Sequence, residues 1–165
     1  MVKKLNITAI VQARLNSTRF PNKVLEKING KTILEVISIR LRESRLINDI
    51  IFAIPGTPNE ILLKKFLVKS KLNIFEGNEN DVLDRYYNCA KKNKSDIIVR
   101  ITGDCPLVDA SIVDSLINTL INDKLDFVSN WAPPTFPDGL DVSVCTYNAL
   151  RKAWNLSTSK HDREH

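Results

Sequence analysis

The sequence predicts an α/β fold in which a largely parallel sheet is covered by helices on both faces, and three observations carry that prediction. Short β-branched apolar runs alternate with longer segments of helical period along the chain, which is the βαβα pattern. One run, DIIVRI at residues 96–101, is apolar on nearly every position and reads as a central strand buried on both sides. At 165 residues, with 43% apolar and 26% charged positions, the composition is that of one soluble globular domain with a single core.

Residues 6–12 (NITAIVQ) form the first strand. A helix over residues 32–46 follows, opened by a capping box in which Thr32 accepts from the backbone three residues on and Glu35 reaches back. The second strand, residues 49–54, is ended by Pro55 and Gly56. Thr57, Pro58 and Glu60 repeat the helix-start chemistry and open a helix running to about residue 71. A short strand at residues 73–75 leads through Gly77 to a helix near 80–92 and then to the central strand. Residues 102–106 (TGDCP) leave it as a loop. Next come a helix at 109–121, a strand at 127–130, an irregular three-proline connection at 131–137, a strand-like stretch at 140–145 and a short helix at 147–155. The polar stretch 156–165, which holds His161 and His165, carries no helix-closing or strand signal and reads as a disordered end; the alternative is a substrate or dimer contact made by His161, Asp162, Arg163 and His165. No repeat, low-complexity segment or linker divides residues 1–165, which read as a single domain.

Composition excludes collagen, low-complexity disorder and coiled coil. No apolar run approaches the roughly 18 to 20 residues of a membrane span, and the N-terminus lacks a signal-peptide core, so a cytoplasmic protein without a membrane partner is expected. Cys89, Cys105 and Cys145 are odd in number and widely spaced, as free thiols are. The net charge of +5 is uneven: residues 1–72 hold 14 basic and 5 acidic side chains, +9, and residues 73–165 hold 10 and 14, −4. The basic charges are scattered over several elements with few aromatics among them, so nucleic acid is not the expected partner. A phosphate-bearing small substrate, or two differently charged solvated faces, explains the split equally well.

Two segments concentrate chemistry. Residues 13–23 (ARLNSTRFPNK) follow the first strand directly and hold Arg14, Arg19 and Lys23 with the hydroxyls of Ser17 and Thr18, and no acidic group. Ligands of open α/β sheets bind outside the carboxyl ends of the strands. Three cations there can surround a polyphosphate while hydroxyls and backbone N–H groups satisfy its remaining acceptors; the alternative is a basic solvated loop. Neither GxxxxGK[ST] nor GxGxxG is present, which disfavours a Walker or dinucleotide-binding site. In RITGDCP, residues 100–106, Asp104 stands at the end of the central strand between a glycine and a proline. It can reach a hard cation such as Mg²⁺, or it can be an ordinary turn aspartate; the cationic loop on the same edge favours the metal.

The runs AIVQARLNSTRFPNKVL (9–25), EGNENDVLDRYY (76–87), RITGDCPLVD (100–109), FPDGLDVSV (136–144) and HDREH (161–165) resemble the acylneuraminate cytidylyltransferase family. The resemblance spans essentially the whole chain and is nearest to the branch of spore coat polysaccharide biosynthesis protein F, related to CMP-Kdo and CMP-sialic acid synthetases. It implies a three-layer αβα, nucleotide-diphospho-sugar transferase-like domain that activates an acidic sugar with CTP and Mg²⁺, in a protein that is commonly a homodimer. It also implies that Gln12 and Ala13 lie near cytosine and ribose, that Arg14, Ser17, Arg19 and Lys23 grip the triphosphate, and that Asp104 binds the metal. Arg100 and the segment holding Asn78, Asp81 and Arg85 are further nucleotide-side candidates, although a helix N-terminus followed by an arginine is also ordinary helix construction. Asp138, Gly139 and Asp141 of PDGLDV would face the sugar, or form a polar turn.

Two departures qualify the resemblance. Relatives often read LDVEV where this chain has Ser143 in place of the acidic residue. Family members also continue well beyond the DREH motif, and a second metal carboxylate usually comes from that part. The leading expectation is cytidylyl transfer, with Arg14, Lys23 and Asp104 carrying the catalysis and no histidine acting as acid or base. A glycosyltransferase-like protein and an inactive nucleotide-binding module are the rivals.

Overall fold

A computed structural model describes residues 4–16 and 20–164. Ser17, Thr18, Arg19 and His165 lie outside the described residues. The elements in chain order are β1 (Ile7–Gln12), a hairpin of β2 (Lys27–Ile28) and β3 (Lys31–Thr32), α1 (Ile33–Leu41), β4 (Asp49–Pro55), α2 (Ile61–Lys69), β5 (Asn73–Gly77), α3 (Val82–Lys92), β6 (Ile97–Thr102), α4 (Ala110–Asn122), β7 (Phe127–Ser129), β8 (Ser143–Thr146), α5 (Tyr147–Leu156) and α6 (Lys160–Glu164).

The main sheet has the order β5-β4-β1-β6-β8-β7. β5, β4, β1 and β6 are parallel, with Gln12 level with Ala53 on one side and Thr102 on the other; β8 alone is reversed, pairing antiparallel with both β6 and β7. The chain winds outward from β1 through β4 to β5 and then crosses to β6, so β1 and β6 flank the point where the winding reverses, the place at which such sheets bind ligands. Alternate side chains feed two cores. Ala9, Val11, Phe52, Ile54, Val99, Ile101 and Val144 pack with Leu34, Ile37, Leu63, Leu67, Val113 and Ile117 of α1, α2 and α4. Ile10, Ala53 and Ile98 pack with Val82, Tyr86, Ala90 and Leu150 of α3 and α5 on the opposite face. The αβα layering expected from the periodicity is thereby present, and each of the buried branched side chains contributes about 1.5–3 kcal/mol.

Most boundaries match the expected ones within a few residues, and the differences have local causes. The capping box at Thr32 and Glu35 forms, but α1 stops at Leu41 instead of reaching residue 46. There the Ser44 hydroxyl accepts from the Leu46 and Ile47 N–H groups, giving that backbone an alternative to the helix. The expected second capping box does not form: Thr57 makes no cap hydrogen bond, a 3-10 turn at Pro58–Glu60 precedes α2, and Glu60 turns elsewhere. Strand β8 begins only at Ser143, because the buried Asn130 side chain holds the Leu140 carbonyl and the Val142 N–H, both at 2.8 Å. The β2–β3 hairpin carries the Asn29-Gly30 turn, with φ of 49° and 80°, the left-handed pair that a two-residue hairpin requires. The end is not disordered as the polar stretch implied: it forms α6, which Arg163 anchors at 2.6 Å to the Asp81 carboxylate and at 3.1 and 2.8 Å to the Trp154 and Ser157 carbonyls.

Candidate active site

The site is built on the carboxyl ends of β1 and β6. Beyond Gln12 the chain stays beside β4 for one more residue, with the Ala13 N–H donating to the Ala53 carbonyl at 3.2 Å. Arg14 then turns outward and is exposed, while Leu15 is buried in the core, 4% exposed. The Leu15 carbonyl accepts from the Asn22 N–H at 3.0 Å, so Leu15 and Asn22 are held together as the neck of the loop. Asn22, at φ 60°, adopts the left-handed turn that asparagine tolerates and aims Lys23 back toward the strands.

On β6 the loop hugs β1. The Gly103 N–H donates to the Gln12 carbonyl at 2.8 Å, and a Cβ at Gly103 would lie 2.7 Å from that same oxygen, so only glycine allows this approach. The next residue, Asp104, meets Lys23: Nζ to Oδ2 is 2.5 Å, with the side chains 27% and 46% exposed. Partial burial pushes the Asp104 carboxyl up, but hydrogen bonds from Lys23 and Thr102 and the Lys23 charge outweigh it and hold the group below the usual carboxylate range. Two of the expected catalytic groups, 81 residues apart in the chain, are therefore brought into contact. Arg14 stands on the same edge, close enough for its charge to act on buried Arg85.

Cys105 is buried beside the pair. Burial raises its thiol against a hydrogen bond with Thr102, and the charges of Asp104, and of Asp141 and Asp138 in the PDGLDV turn, act in the same direction as burial. Gly139 has φ +92°, and Asn130 holds the turn at Leu140 and Val142. Ser143, where relatives often have an acidic group, is buried and accepts the Trp131 indole N–H at 2.8 Å. Its hydroxyl is thus occupied by the fold.

The remaining candidates are placed differently. Asp81 is the N-cap of α3, accepting from the Asp84 N–H at 2.8 Å, and its other oxygen takes Arg163; Asn78 accepts from the Asn80 N–H. Both serve local construction. Arg85 is 2% exposed and donates to the Asn78 carbonyl, so it lies behind the site and not on its surface. Arg100 lines a cavity of about 350 Å³ between the sheet and α3, α5 and α6, together with Leu83, Tyr86, Phe127 and Arg163, and the Lys23–Asp104 pair does not line it. Three buried polar atoms have no partner among the described residues at the carboxyl side of the parallel strands: Gln12 Oε1, Thr57 Oγ1 and Arg85 Nε. Such atoms are costly unless something binds them.

One residue of the site was not foreseen. Glu60, 2% exposed, accepts the Leu15 N–H on both carboxylate oxygens, at 3.1 and 2.9 Å. Burial raises its proton affinity against the opposing pull of the Leu15 and Asn16 N–H groups.

A mostly parallel αβα sheet with a lysine and a carboxylate meeting at the reversal of its winding has the frame of a nucleotidyltransferase-like protein. The family model described as cytidylyltransferase matches residues 8–165, and the chain belongs to the cytidylyltransferase family. Among curated relatives it is 38% identical over 161 residues to a protein of Methanocaldococcus jannaschii, covering 98% of this chain and 65% of that one. It is 30% identical to spore coat polysaccharide biosynthesis protein SpsF of Bacillus subtilis, over 74% of this chain and 52% of that protein. It is 31% identical to 3-deoxy-manno-octulosonate cytidylyltransferase of Geotalea daltonii, over 73% and 47%. The chain thus spans between about half and 65% of the length of these relatives. Among solved structures, a cytidylyltransferase from Leptospira borgpetersenii superposes with a TM-score of 0.89 at 29% identity, covering 98% of this chain and 68% of that one. No helix among the described residues is long and apolar enough to cross a membrane.

Proposed function

We propose that this chain carries the nucleotide-gripping part of a cytidylyltransferase that transfers CMP from CTP to an acidic sugar of the sialic-acid or Kdo class, for surface polysaccharide synthesis in the cytoplasm. The observation that carries this reading is the contact of Lys23 with Asp104 at the ends of the two central strands, with Arg14 exposed just beyond β1. In the reaction a sugar hydroxyl forms a bond to the α-phosphorus of CTP and gives up its proton to solvent, the bond to the bridging oxygen breaks, and pyrophosphate leaves with the electron pair. Such chemistry asks for positioning and charge neutralisation more than for an acid or base side chain. Arg14, with Arg19 and Ser17 of the same loop, would grip the β and γ phosphates, and Lys23 would neutralise the charge that builds on the leaving pyrophosphate. Gln12 and Ala13 would border the base and ribose, for which the unpartnered Gln12 oxygen is suited. Asp138, Gly139 and Asp141 would face the sugar.

Asp104 fits a Mg²⁺ ligand: it is ionised at neutral pH and already rests against a cation. Among the described residues no three His, Cys, Asp or Glu side chains gather into a cage, so the ion would be held by Asp104 and the substrate phosphates, a usual arrangement for Mg²⁺. Bound there, it would polarise the phosphoryl oxygens.

Thermal denaturation with CTP, ATP, GTP and UTP, each with and without Mg²⁺, tests the proposal, because a ligand of the folded state raises stability by mass action. CTP with Mg²⁺ should raise Tm most. Equal shifts for all four nucleotides would show that only the triphosphate is read, and no shift with any of them would remove the nucleotide site.

A further inference from the structure

We infer that Glu60 is a positioning residue for the phosphate-gripping loop, an internal carboxylate that holds the neck of the loop so that Arg14 and Lys23, on either side of it, are set in place before nucleotide arrives. The inference rests on the reading of residues 13–23 as the triphosphate grip. Leu15 is the neck: its carbonyl takes the Asn22 N–H, and its own N–H is the backbone donor that Glu60 receives on both oxygens. A backbone N–H just after a strand at this sheet edge is the kind of donor that elsewhere binds phosphate. Here it is already taken, by a carboxylate from the turn before α2, 45 residues further along. The carboxylate is 2% exposed, so the contact is not a passing surface pair.

The placement also sorts the cations. With the Leu15 N–H engaged inward, the residue before it, Arg14, is exposed toward solvent, and the residue after Asn22, Lys23, reaches Asp104. Loss of the clamp should let the neck open and scatter the two cations. A bound triphosphate would then have to order the loop at its own cost, whereas a monophosphate, which does not need the loop, would not.

Amide hydrogen exchange on the free 165-residue chain tests the clamp without any ligand. Relative to the natural chain, Glu60→Ala should speed exchange at Leu15 by about tenfold or more, the scale of one hydrogen bond to a charged acceptor, while Ala90 in α3 keeps its rate. Glu60→Gln, with one acceptor oxygen and no charge, should fall between the two. In equilibrium binding with Mg²⁺ present, Glu60→Ala should weaken CTP by about tenfold or more and CMP by less than about threefold, with Glu60→Gln restoring part of the CTP affinity. Should Glu60→Ala fail to fold, Glu60→Gln carries both measurements in the same direction. Unchanged Leu15 exchange in the folded variants, or equal losses for CTP and CMP, would overturn the assignment. A natural chain that binds neither nucleotide would overturn the proposed function alone, since Leu15 exchange would still decide the clamp.

Discussion

Lys23 sits where the proposed Mg²⁺ would touch Asp104, so an ion held there would take over the carboxylate and leave the ammonium free for the phosphates. This gives Lys23→Met two readouts. Its loss should weaken CTP more than CMP, by about 1.5–3 kcal/mol if a charge-assisted hydrogen bond is removed. It should also change the pH dependence of folding. The carboxyl of Asp104 is held below its unfolded value of 3.8, so the stabilisation is complete above that value and is lost as pH falls through the folded one. Denaturant titrations should therefore show a difference between natural and Lys23→Met chains that is flat between about pH 6 and 8 and shrinks below about pH 4. With both side chains partly exposed the plateau should be no more than about 1 kcal/mol. A difference that grows on acidification would mean that the pair does not hold Asp104 ionised.

At the scale of elements, the N-terminus of α3 is tied by one aspartate to its own backbone and to α6. Asp81→Ala removes both ties, and Asp81→Asn retains an acceptor for the Asp84 N–H while losing the charge opposite Arg163. The alanine variant should lose about 1–2 kcal/mol and the asparagine variant about half of that, read from unfolding midpoints. Equal losses would show that the charge pair, not the cap, carries the effect. This tie also marks what the linear pattern could and could not disclose. Thr32 and Glu35 were legible because both ends of that capping box lie within one turn, with nothing else competing for them. Thr57 and Glu60 have the same spacing, but the Leu15 N–H, distant in sequence, claims Glu60. Arg163 was unreadable for the same reason, since its acceptor lies 82 residues away. Arg14 and Asp104 could be singled out because each lies two residues beyond a buried strand, and Lys23 because it shares the cationic, acid-free loop after β1; that Lys23 and Asp104 would touch depended on Asn22 turning and Gly103 closing on β1. The Asn29-Gly30 hairpin is legible in its turn residues, which take the left-handed pair with little strain.

Over the whole molecule the two cores are separated by the sheet, and Tyr86 reaches through from α3 to its centre. Its hydroxyl lies 3.1 Å from the Ile101 carbonyl and 3.3 Å from that of Ile10, on β6 and β1, just beneath the candidate site. Burial pushes the phenol well above its ordinary value, so it remains a neutral donor across the physiological range. Tyr86→Phe should cost about 1–3 kcal/mol by leaving a buried acceptor unsatisfied, with a folded far-ultraviolet circular dichroism spectrum and a lowered unfolding midpoint. An unchanged midpoint would show that the carbonyls are satisfied without it.

The pairing of β1 with β6 sets a time as well as a place. Gln12 and Thr102 are 90 positions apart, and the groups that meet beyond them cannot do so until the second strand has been made. At about 5–20 residues per second of synthesis, the first strand waits roughly 5 to 18 seconds for that neighbour, with only β4 available to cover one of its edges meanwhile. During that interval the apolar edge of β1 is a place where a nascent chain can pair wrongly, and the contact of Lys23 with Asp104 has to wait as long.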